Sequence, residues 1–318
     1  MDEVLECIKR IGEVRIRAGL EKRIKDEAPP KSPGPAVKWT GGKRRLLPAL
    51  KGAFPEDWLD RPYGELMAGG AALFFAWGRF CSKAVLVDIN DELMGFYRRL
   101  QECPETLIEA MAIFKTAYEE STDRKRFYYR VRELDGLDPC RELEALSGEH
   151  VDLWEAVRFH GLNKTSYNGL YRMNQKGRFN APFGGYKNPG LLDEDNLRRV
   201  HLALRRVVLV WGSYETVPLE PGTLVYMDPP YARSEAAKEF TGYLAEGFGD
   251  EEQIRLAKWA REQAERGVLV MVTNSDVPLV RELYKDWNLR ETATKRSCGA
   301  QKGKCSPVND LIITSWGE

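Results

Sequence analysis

Three short apolar runs, each ending in polar residues, constrain the fold of this 318-residue chain more than any other feature. The runs are AVLVD at 84–88, TLVYMD at 223–228 and VLVMVTNS at 268–275. Runs of this length and composition are typical of buried parallel strands. An amphipathic pattern over 250–266, capped by Asp250, predicts a helix between the last two. The chain therefore predicts a doubly wound α/β sheet, which binds ligands outside the carboxyl ends of its strands.

A long segment interrupts this alternation between residues 91 and 192. It begins helical and charged, and from Val157 it becomes rich in glycine, asparagine and aromatic residues, which predicts an inserted second domain. Before the sheet begins, residues 2–26 carry apolar side chains at roughly helical spacing, and four prolines follow. We interpret this start as a surface helix on a linker, with a dimerisation or partner helix as the alternative.

Composition excludes several classes of protein. The 48 basic and 48 acidic residues cancel, so any affinity for nucleic acid must come from local patches. The six cysteines form no CxxC pair and there are three histidines, which argues against a zinc site and a disulfide framework and fits a reducing cytosol. No apolar run approaches a membrane span or a signal peptide. We expect an intracellular protein that needs no metal and binds no membrane.

The tetrapeptide Asp228-Pro229-Pro230-Tyr231 follows the second apolar run directly. An exocyclic amine is a poor nucleophile because its lone pair is delocalised into the ring. A carboxylate and a proline carbonyl that accept its two N–H groups would favour tetrahedral nitrogen with a directed lone pair. The prolines supply a rigid loop, and the tyrosine offers a face on which an extruded base can stack. The alternative is a simple turn at a strand end.

The stretch between Ala156 and Leu192 combines positive charge with aromatic side chains. It contains no acidic residue but six basic and six aromatic ones, namely Arg158, Lys164, Arg172, Lys176, Arg178 and Lys187 with Phe159, Tyr167, Tyr171, Phe179, Phe183 and Tyr186. In a chain without net charge, such a stretch is typical of nucleic-acid binding. The alternative is a solvated basic loop over a small aromatic core.

Two glycine pairs and one acid suggest a small-molecule site. Lys38–Lys43 reads KWTGGK and Glu65–Ala71 reads ELMAGGA, and paired glycines let a ligand approach the backbone closely. The alternative for the second pair is a plain turn at the start of a helix. Lys43 can meet a carboxylate of that ligand. A phosphate loop is disfavoured, because the GxxxxGK[ST] spacing is absent. Asp88, at the end of its apolar run, either binds ribose hydroxyls or caps the following helix.

These motifs and their order resemble the Dam-type (alpha-group, D12 class) DNA adenine-N6 methyltransferases, and the resemblance covers about residues 36 to 316. It implies an α/β fold: a Rossmann-like S-adenosylmethionine-dependent methyltransferase sheet with an inserted, mainly helical target-recognition domain. The catalytic domain would comprise 34–90 and 193–318, the recognition domain 91–192, and an N-terminal charged helix with a proline-rich linker 1–33. The chain departs from the family pattern at Met67, where an aromatic is common, and at Ala71, which replaces the second glycine of G-x-G.

The resemblance also implies site residues. The catalytic set would be Asp228, Pro229, Pro230 and Tyr231. The residues that bind S-adenosylmethionine would be Trp39, Gly41, Gly42, Lys43, Glu65, Ala68, Gly69, Gly70, Asp88 and Asp228. No metal is implied, because the sulfonium is already activated. A stretch at 240–243, FTGY, is similar to a mobile segment near the flipped base in the family.

For DNA, the resemblance implies contacts by Lys38, Lys164, Tyr167, Asn168, Leu170, Arg172, Pro182, Tyr186, Lys187, Lys295, Arg296 and Ser297. Tyr167 would intercalate at the target step, with Asn168 near the target adenine. Leu170 and Arg172 would read bases in the major groove. Tyr186 and Lys38 would read the outer guanine, Pro182 would contact thymine, and 295–297 would grip phosphates. Together these matches suggest the site GATC.

We therefore predict direct methyl transfer to adenine N6 of a base flipped out of double-stranded DNA. The alternatives are a catalytically silent DNA-binding regulator and a related RNA or protein amino-methyltransferase, which commonly has Asn in place of Asp228. We expect a monomer or weak dimer in the cytoplasm, associated with the nucleoid. A cognate restriction endonuclease is a further partner that family members can have.

Overall fold

The structure is a computed structural model that describes residues 3–14, 32–134, 148–232, 248–292 and 309–317. The chain divides into two compact units. The first unit comprises 1–42, 69–76 and 90–211, and the second comprises 43–68, 77–89 and 212–318. The first unit thus contains 193–211, which the sequence analysis assigned to the catalytic domain. The functional domain bounds stay a prediction.

A mixed sheet forms the centre of the second unit. Its strands are β1 (Tyr63–Glu65), β2 (Ala84–Asp88), β4 (Leu224–Met227), β5 (Leu269–Ser275), β6 (Asn288–Thr292) and β7 (Asp310–Thr314). They lie in the order β2-β1-β4-β5-β7-β6, with β3 (Val207–Trp211) belonging to the first unit. The first four are parallel, whereas β7 runs antiparallel to both β5 and β6. The predicted α/β sheet is confirmed.

The three predicted strands are present, and one is longer than its apolar run. β5 continues through Thr273, Asn274 and Ser275, because these residues pair with Ile312, Leu311 and Asp310 of β7. Every residue of β4 is buried, as the unbroken apolar run predicts for a strand covered on both faces. Since parallel strands end at the same edge, β1, β2 and β4 deliver Glu65, Asp88 and Asp228 there.

The described residues of the second unit include the helices α2 (Leu47–Lys51), α9 (Asp250–Glu265) and α10 (Pro278–Leu283). α9 buries Leu256, Ala257 and Ala260 and packs against β5. The predicted cap at Asp250 is wrong. Asp250 is the first helical residue, and the cap is Gly249, whose amide donates to the Glu252 carboxylate at 2.8 Å.

The first unit is mainly helical, as predicted. Its helices are α1 (Glu3–Gly12), α3 (Ala72–Ala76), α4 (Asp91–Glu102), α5 (Pro104–Glu120), α6 (Arg124–Glu133), α7 (Gly148–Thr165) and α8 (Glu194–Leu204). α7 packs against α4, α5 and α6 and buries Trp154, Phe159 and His160. A helix buried on most of its circumference lies inside a bundle. Burial holds the pKa of His160 well below its ordinary value, and the ring stacks on Phe96.

The N-terminal helix differs from the expected surface helix on a linker. α1 buries Val4, Cys7, Ile8 and Ile11, and it packs against α5, α6 and α7. Its apolar face is therefore used within the first unit and is not presented to a partner. No helix in the described part of the chain is long and apolar enough to cross a membrane.

Candidate active site

Asp228 follows the last residue of β4, and both of its carboxylate oxygens are engaged. The ammonium of Lys43 lies 2.7 Å from Oδ2. The Thr273 hydroxyl, near the end of β5, donates to Oδ1 at 2.7 Å. Lys43 and Asp228 are far apart in sequence, and the fold of the second unit brings these two predicted residues together.

Opposing effects act on the ionisation of Asp228. Burial raises the pKa of its carboxyl, and the Asp310 carboxylate raises it further. The Lys43 charge and the hydrogen bonds from Lys43 and Thr273 lower this pKa, but the net shift is upward. The charged carboxylate thus depends on its two donors.

Buried side chains fix the loop that contains the tetrapeptide. The Gln253 amide donates to the Pro230 carbonyl at 2.8 Å, and the Asn274 amide donates to the Gln253 carbonyl oxygen at 2.9 Å. Asn274 also accepts from the Ala232 amide at 2.9 Å. The Pro230 carbonyl thus accepts a hydrogen bond from within the protein.

The ring of Tyr231 lies beside the same lysine. Lys43 Nζ is 4.6 Å from the centroid of that ring, and a cation over an aromatic face is attracted to it. The Lys43 ammonium thus contacts both the Asp228 carboxylate and the face of the Tyr231 ring.

The ends of β1 and β2 supply two buried acids. Glu65 accepts from the Tyr63 hydroxyl at 2.9 Å, and Asp88 is 9% exposed. The alternative role of Asp88 as a helix cap is wrong, because Asn90 caps α4 by accepting from Leu93 at 2.9 Å. Ile89 was not predicted, although it is 79% exposed and adjacent to Asp88. An exposed isoleucine beside a candidate ribose ligand is an apolar surface on which a flat ring can rest.

The glycine loop after β1 has an unusual backbone. Gly69 has φ +46° and Ala71 has φ +49°, a left-handed region that alanine rarely adopts. A glycine at position 71 would adopt this conformation without strain. Ala68, just before the loop, donates its amide to the Val87 carbonyl of β2 at 2.9 Å.

Trp39 of the KWTGGK motif packs directly on this glycine loop in the first unit. A Cβ placed on Gly69 would lie 2.5 Å from the indole nitrogen, and one on Gly70 would lie 3.3 Å from the Trp39 Cβ. Gly41 has φ +83°, and the Gly42 amide donates to the Trp39 carbonyl at 3.2 Å. The motif and the loop therefore form one close-packed element.

Trp39 also contacts Tyr171, which lies in the predicted DNA-binding stretch between Ala156 and Leu192. The two rings stack with centroids 5.9 Å apart, and the Tyr171 hydroxyl donates to the Glu92 carboxylate at 2.6 Å. Arg158, which is 1% exposed, forms ion pairs with Glu92 and with Glu155. A buried charged network thus supports the tryptophan.

The predicted DNA contacts of the first unit form a connected surface. Tyr167 is 48% exposed, and the neighbouring Asn168 has φ +54°. The Asn168 amide donates to the Tyr186 hydroxyl at 2.7 Å, while Lys38 Nζ lies 4.3 Å from the centroid of the Tyr186 ring. The same ammonium donates to the Lys164 carbonyl at 2.9 Å. The predicted pair of Lys38 and Tyr186 is therefore in contact.

The remaining predicted base contacts lie on neighbouring turns of this segment. The exposed Arg172 donates to the side chain of Asn180 at 2.6 Å and to its carbonyl at 3.1 Å. Pro182 is exposed and accepts from the Tyr167 amide at 2.8 Å, while Leu170 is half-buried. The Lys187 carbonyl accepts from Arg124 at 3.2 Å.

Some predictions cannot be placed. Lys295, Arg296 and Ser297, and the stretch 240–243, lie outside the described residues. The predicted cofactor residues are divided between the units, with Trp39, Gly41, Gly42, Gly69 and Gly70 in the first and Lys43, Glu65, Ala68, Asp88 and Asp228 in the second.

Sequence reasoning missed the basic helix α6, although half of its ten residues are lysine or arginine. This helix packs on the predicted DNA-binding stretch between Ala156 and Leu192. The Tyr128 hydroxyl donates to the Ala181 carbonyl at 2.8 Å, and Arg132 donates to the same carbonyl at 3.3 Å. In the described part of the chain, no group of three or more His, Cys, Asp or Glu side chains is arranged to hold a metal ion.

Known proteins were compared with this chain. The family model of the D12 class N6 adenine-specific DNA methyltransferases matches residues 39–298. The Type II methyltransferase M1.LlaDCHI of Lactococcus lactis subsp. cremoris is 34% identical over 290 residues, which cover 89% of this chain and 95% of that protein. The Type II methyltransferase M.MjaIII of Methanocaldococcus jannaschii is 34% identical over 89% of this chain and 99% of that protein.

A third relative, the Retron Ec67 DNA adenine methylase of Escherichia coli, is 31% identical over 88% of this chain and 90% of that protein. The family match spans most of the chain, and these relatives align over nearly their full lengths. The sheet order, with its antiparallel β7 between β5 and β6, agrees with a methyltransferase sheet of Rossmann-like type. The chain belongs to the D12 class N6 adenine-specific DNA methyltransferase family.

Proposed function

We propose that this DNA adenine methyltransferase takes the methyl group of S-adenosylmethionine and transfers it to N6 of an adenine flipped out of duplex DNA, within GATC. The observation that carries the proposal is the pair of contacts around Asp228. One oxygen accepts from Thr273, and the other accepts from an ammonium that also lies over the Tyr231 ring. This is the environment that an aromatic base with an exocyclic amine requires.

The residues of the second unit fit the methyl donor in charge and polarity. Lys43 can pair with its carboxylate, Asp88 can accept from its ribose hydroxyls, and the exposed Ile89 can cover one face of its adenine. In the first unit, the left-handed backbone at Gly69 leaves the loop without a side chain against Trp39. When bound, S-adenosylmethionine supplies a methyl group already activated by the sulfonium, and the residues of the chain bind and orient.

The target amine would take the place of the Lys43 ammonium at Asp228. Oδ2 would accept one N–H and the Pro229 carbonyl the other, so the nitrogen lone pair is directed away from the ring. Entry of the amine at this position would displace the Lys43 ammonium from Oδ2. The carboxylate of the methyl donor gives Lys43 another anionic partner. The base would stack on Tyr231.

Recognition is proposed for the segment around Tyr167 and Arg172. The exposed tyrosine can fill the gap left by a flipped base, and the exposed guanidinium can bond guanine O6 and N7 together. Lys38 over Tyr186 presents a cation and a hydroxyl for the outer guanine. The basic residues of α6 add phosphate contacts beside this segment.

The experiment is transfer of labelled methyl from S-adenosylmethionine to a GATC duplex. Control duplexes carry N6-methyladenine at the target or a changed outer base pair. We expect transfer to GATC alone, and none by Asp228→Ala, which should still bind the duplex. Transfer to both unmethylated duplexes would contradict the GATC proposal, and loss of DNA binding in Asp228→Ala would contradict the role of Asp228.

The same experiment separates the alternatives. A catalytically silent regulator would bind a GATC duplex without any dependence on S-adenosylmethionine. A folded protein that binds the cofactor but methylates no duplex would indicate RNA or protein as the substrate. The restriction endonuclease partner, the oligomeric state, the absence of a metal and the cytoplasmic location stay predictions.

A further inference from the structure

Thr273 contacts the catalytic carboxylate but belongs to none of the sequence motifs. It lies on β5 and is completely buried. Its hydroxyl donates to Asp228 Oδ1 at 2.7 Å, and it lies 3.0 Å from the hydroxyl of Tyr226 on β4. Tyr226 on β4 and Thr273 on the adjacent parallel strand β5 thus form a hydrogen-bonded series that ends at the Asp228 carboxylate.

The direction of this series follows from the number of protons. A threonine hydroxyl has one hydrogen, and a charged carboxylate can only accept. Since Thr273 donates to Asp228, the Tyr226 hydroxyl must donate to Thr273. Burial, followed by the nearby Asp228 charge, raises the pKa of Tyr226 well above its ordinary value, so its donor proton is retained. Tyr226 therefore donates to Thr273, and Thr273 donates to Oδ1 of Asp228.

The surroundings of Asp228 show why such a donor matters. The Lys43 ammonium favours the ionised form of Asp228, whereas the Asp310 carboxylate on β7 opposes its ionisation. Burial and the nearby Asp228, Tyr231 and Glu65 groups raise the pKa of the Tyr226 hydroxyl. When a neutral amine replaces Lys43 at Oδ2, the hydrogen bond from Thr273 remains.

We propose that Thr273, oriented by Tyr226, is a positioning residue that keeps Asp228 ionised and turns Oδ2 toward the substrate amine. This inference rests on the proposed function of Asp228. Neither hydroxyl touches the substrate, so both act through the carboxylate.

The test compares Thr273→Val, which removes the hydroxyl but keeps the branched shape, with Thr273→Ser, which keeps the hydroxyl but removes a buried methyl group. Single-turnover methyl transfer at saturating duplex and S-adenosylmethionine is followed from about pH 5 to about pH 9. A lost hydrogen bond to the charged form raises the pKa of the carboxyl, so activity is lost at a higher pH. For Thr273→Val we expect the acid limb to move up by about one pH unit, or about tenfold in rate on that limb.

In Thr273→Ser we expect the acid limb of the pH–rate profile to stay in place. In Tyr226→Phe we expect it to move up in pH, but by less than in Thr273→Val. Urea unfolding is the control for stability, because serine loses a buried methyl group, whereas valine removes the hydroxyl that links Tyr226 to Asp228. A structural role alone would make activity follow stability and leave the limb of Thr273→Val unmoved. Either result overturns the proposal.

A second readout does not require activity. The titration of Asp228 is followed by NMR of protein with ¹³C-labelled aspartate carboxyls, assigned with Asp228→Asn. We expect the Asp228 titration to move up in Thr273→Val and stay in place in Thr273→Ser. If the wild-type protein methylates no DNA, the proposed function fails, but the titration still decides the role of Thr273. If the wild-type enzyme is active but the titration of Asp228 is unchanged in Thr273→Val, the proposed role of Thr273 is refuted while the proposed function stands.

Discussion

Replacing Gly69 by alanine should damage the glycine loop far more than the same change at Gly70. The neighbouring residues share sequence context and both contact Trp39, but only Gly69 has a left-handed φ, at +46°. A new Cβ on Gly69 would lie 2.5 and 2.6 Å from two indole atoms. On Gly70 the nearest atom would be the Trp39 Cβ at 3.3 Å.

These distances set the expected free energies of unfolding. Left-handed backbone costs an alanine about 1–2 kcal/mol relative to glycine, and an overpacked contact costs about 1–3 kcal/mol more. Gly69→Ala should therefore lose about 2–5 kcal/mol. Gly70→Ala adds one tight contact without backbone strain, and it restricts the unfolded chain, so we expect a change below about 1 kcal/mol.

The assay is equilibrium urea unfolding of the wild type and both variants, followed by circular dichroism to avoid the altered Trp39 signal. S-adenosylmethionine affinity, measured by calorimetry, is the functional companion. Because Trp39 must move to admit the new methyl group, affinity should fall in Gly69→Ala by about tenfold or more, equivalent to about 1.4 kcal/mol. Equal losses of stability in the two variants would refute the assigned backbone conformation and the packing of Trp39 on Gly69.

Two further predictions concern charge. Arg158→Leu should cost about 3–5 kcal/mol of stability, because it removes a fully buried cation and leaves the Glu92 and Glu155 carboxylates without the ion pairs they form with it. Arg198→Leu, which breaks ion pairs at an exposed position, should cost less than about 1 kcal/mol, and similar losses in urea unfolding would contradict the burial argument. Arg172→Ala should relax discrimination at one base pair by about 1–3 kcal/mol, whereas Arg178→Ala, an equal loss of exposed charge, should weaken all duplexes alike. An unchanged base preference in methylation assays would exclude Arg172 as a base reader.

Strands β2 and β4 were predictable, because an unbroken apolar run indicates a strand that is buried on both faces. β2 and β4 are uninterrupted apolar runs followed by an acid, and the structure places them as expected. β1 has three residues with no such run, so only its pairing with β2 and β4 defines it. β5 exceeds its apolar run, since polar residues entered the strand by pairing with a distant β7.

The motif residues of the candidate site were proposed from the sequence alone, whereas their contacts were not. Asp228 and Lys43 were both predicted, but no local pattern indicates that they form an ion pair. Thr273 was noted only as part of a polar strand end, because its contact with Asp228 depends on strand order. α1 was misjudged because an amphipathic helix has the same pattern whether its apolar face meets its own chain or a partner.

The position of β1 between β2 and β4 has a consequence for how the chain is made. Tyr63 pairs with Leu224, about 160 residues later, so the centre of the sheet cannot close until most of the chain has left the ribosome. Helices α4 to α6 are contiguous in sequence and can condense while synthesis continues. Until β4 arrives, one edge of β1 has no strand to pair with, and a nascent chain stalled in this interval would be open to aggregation.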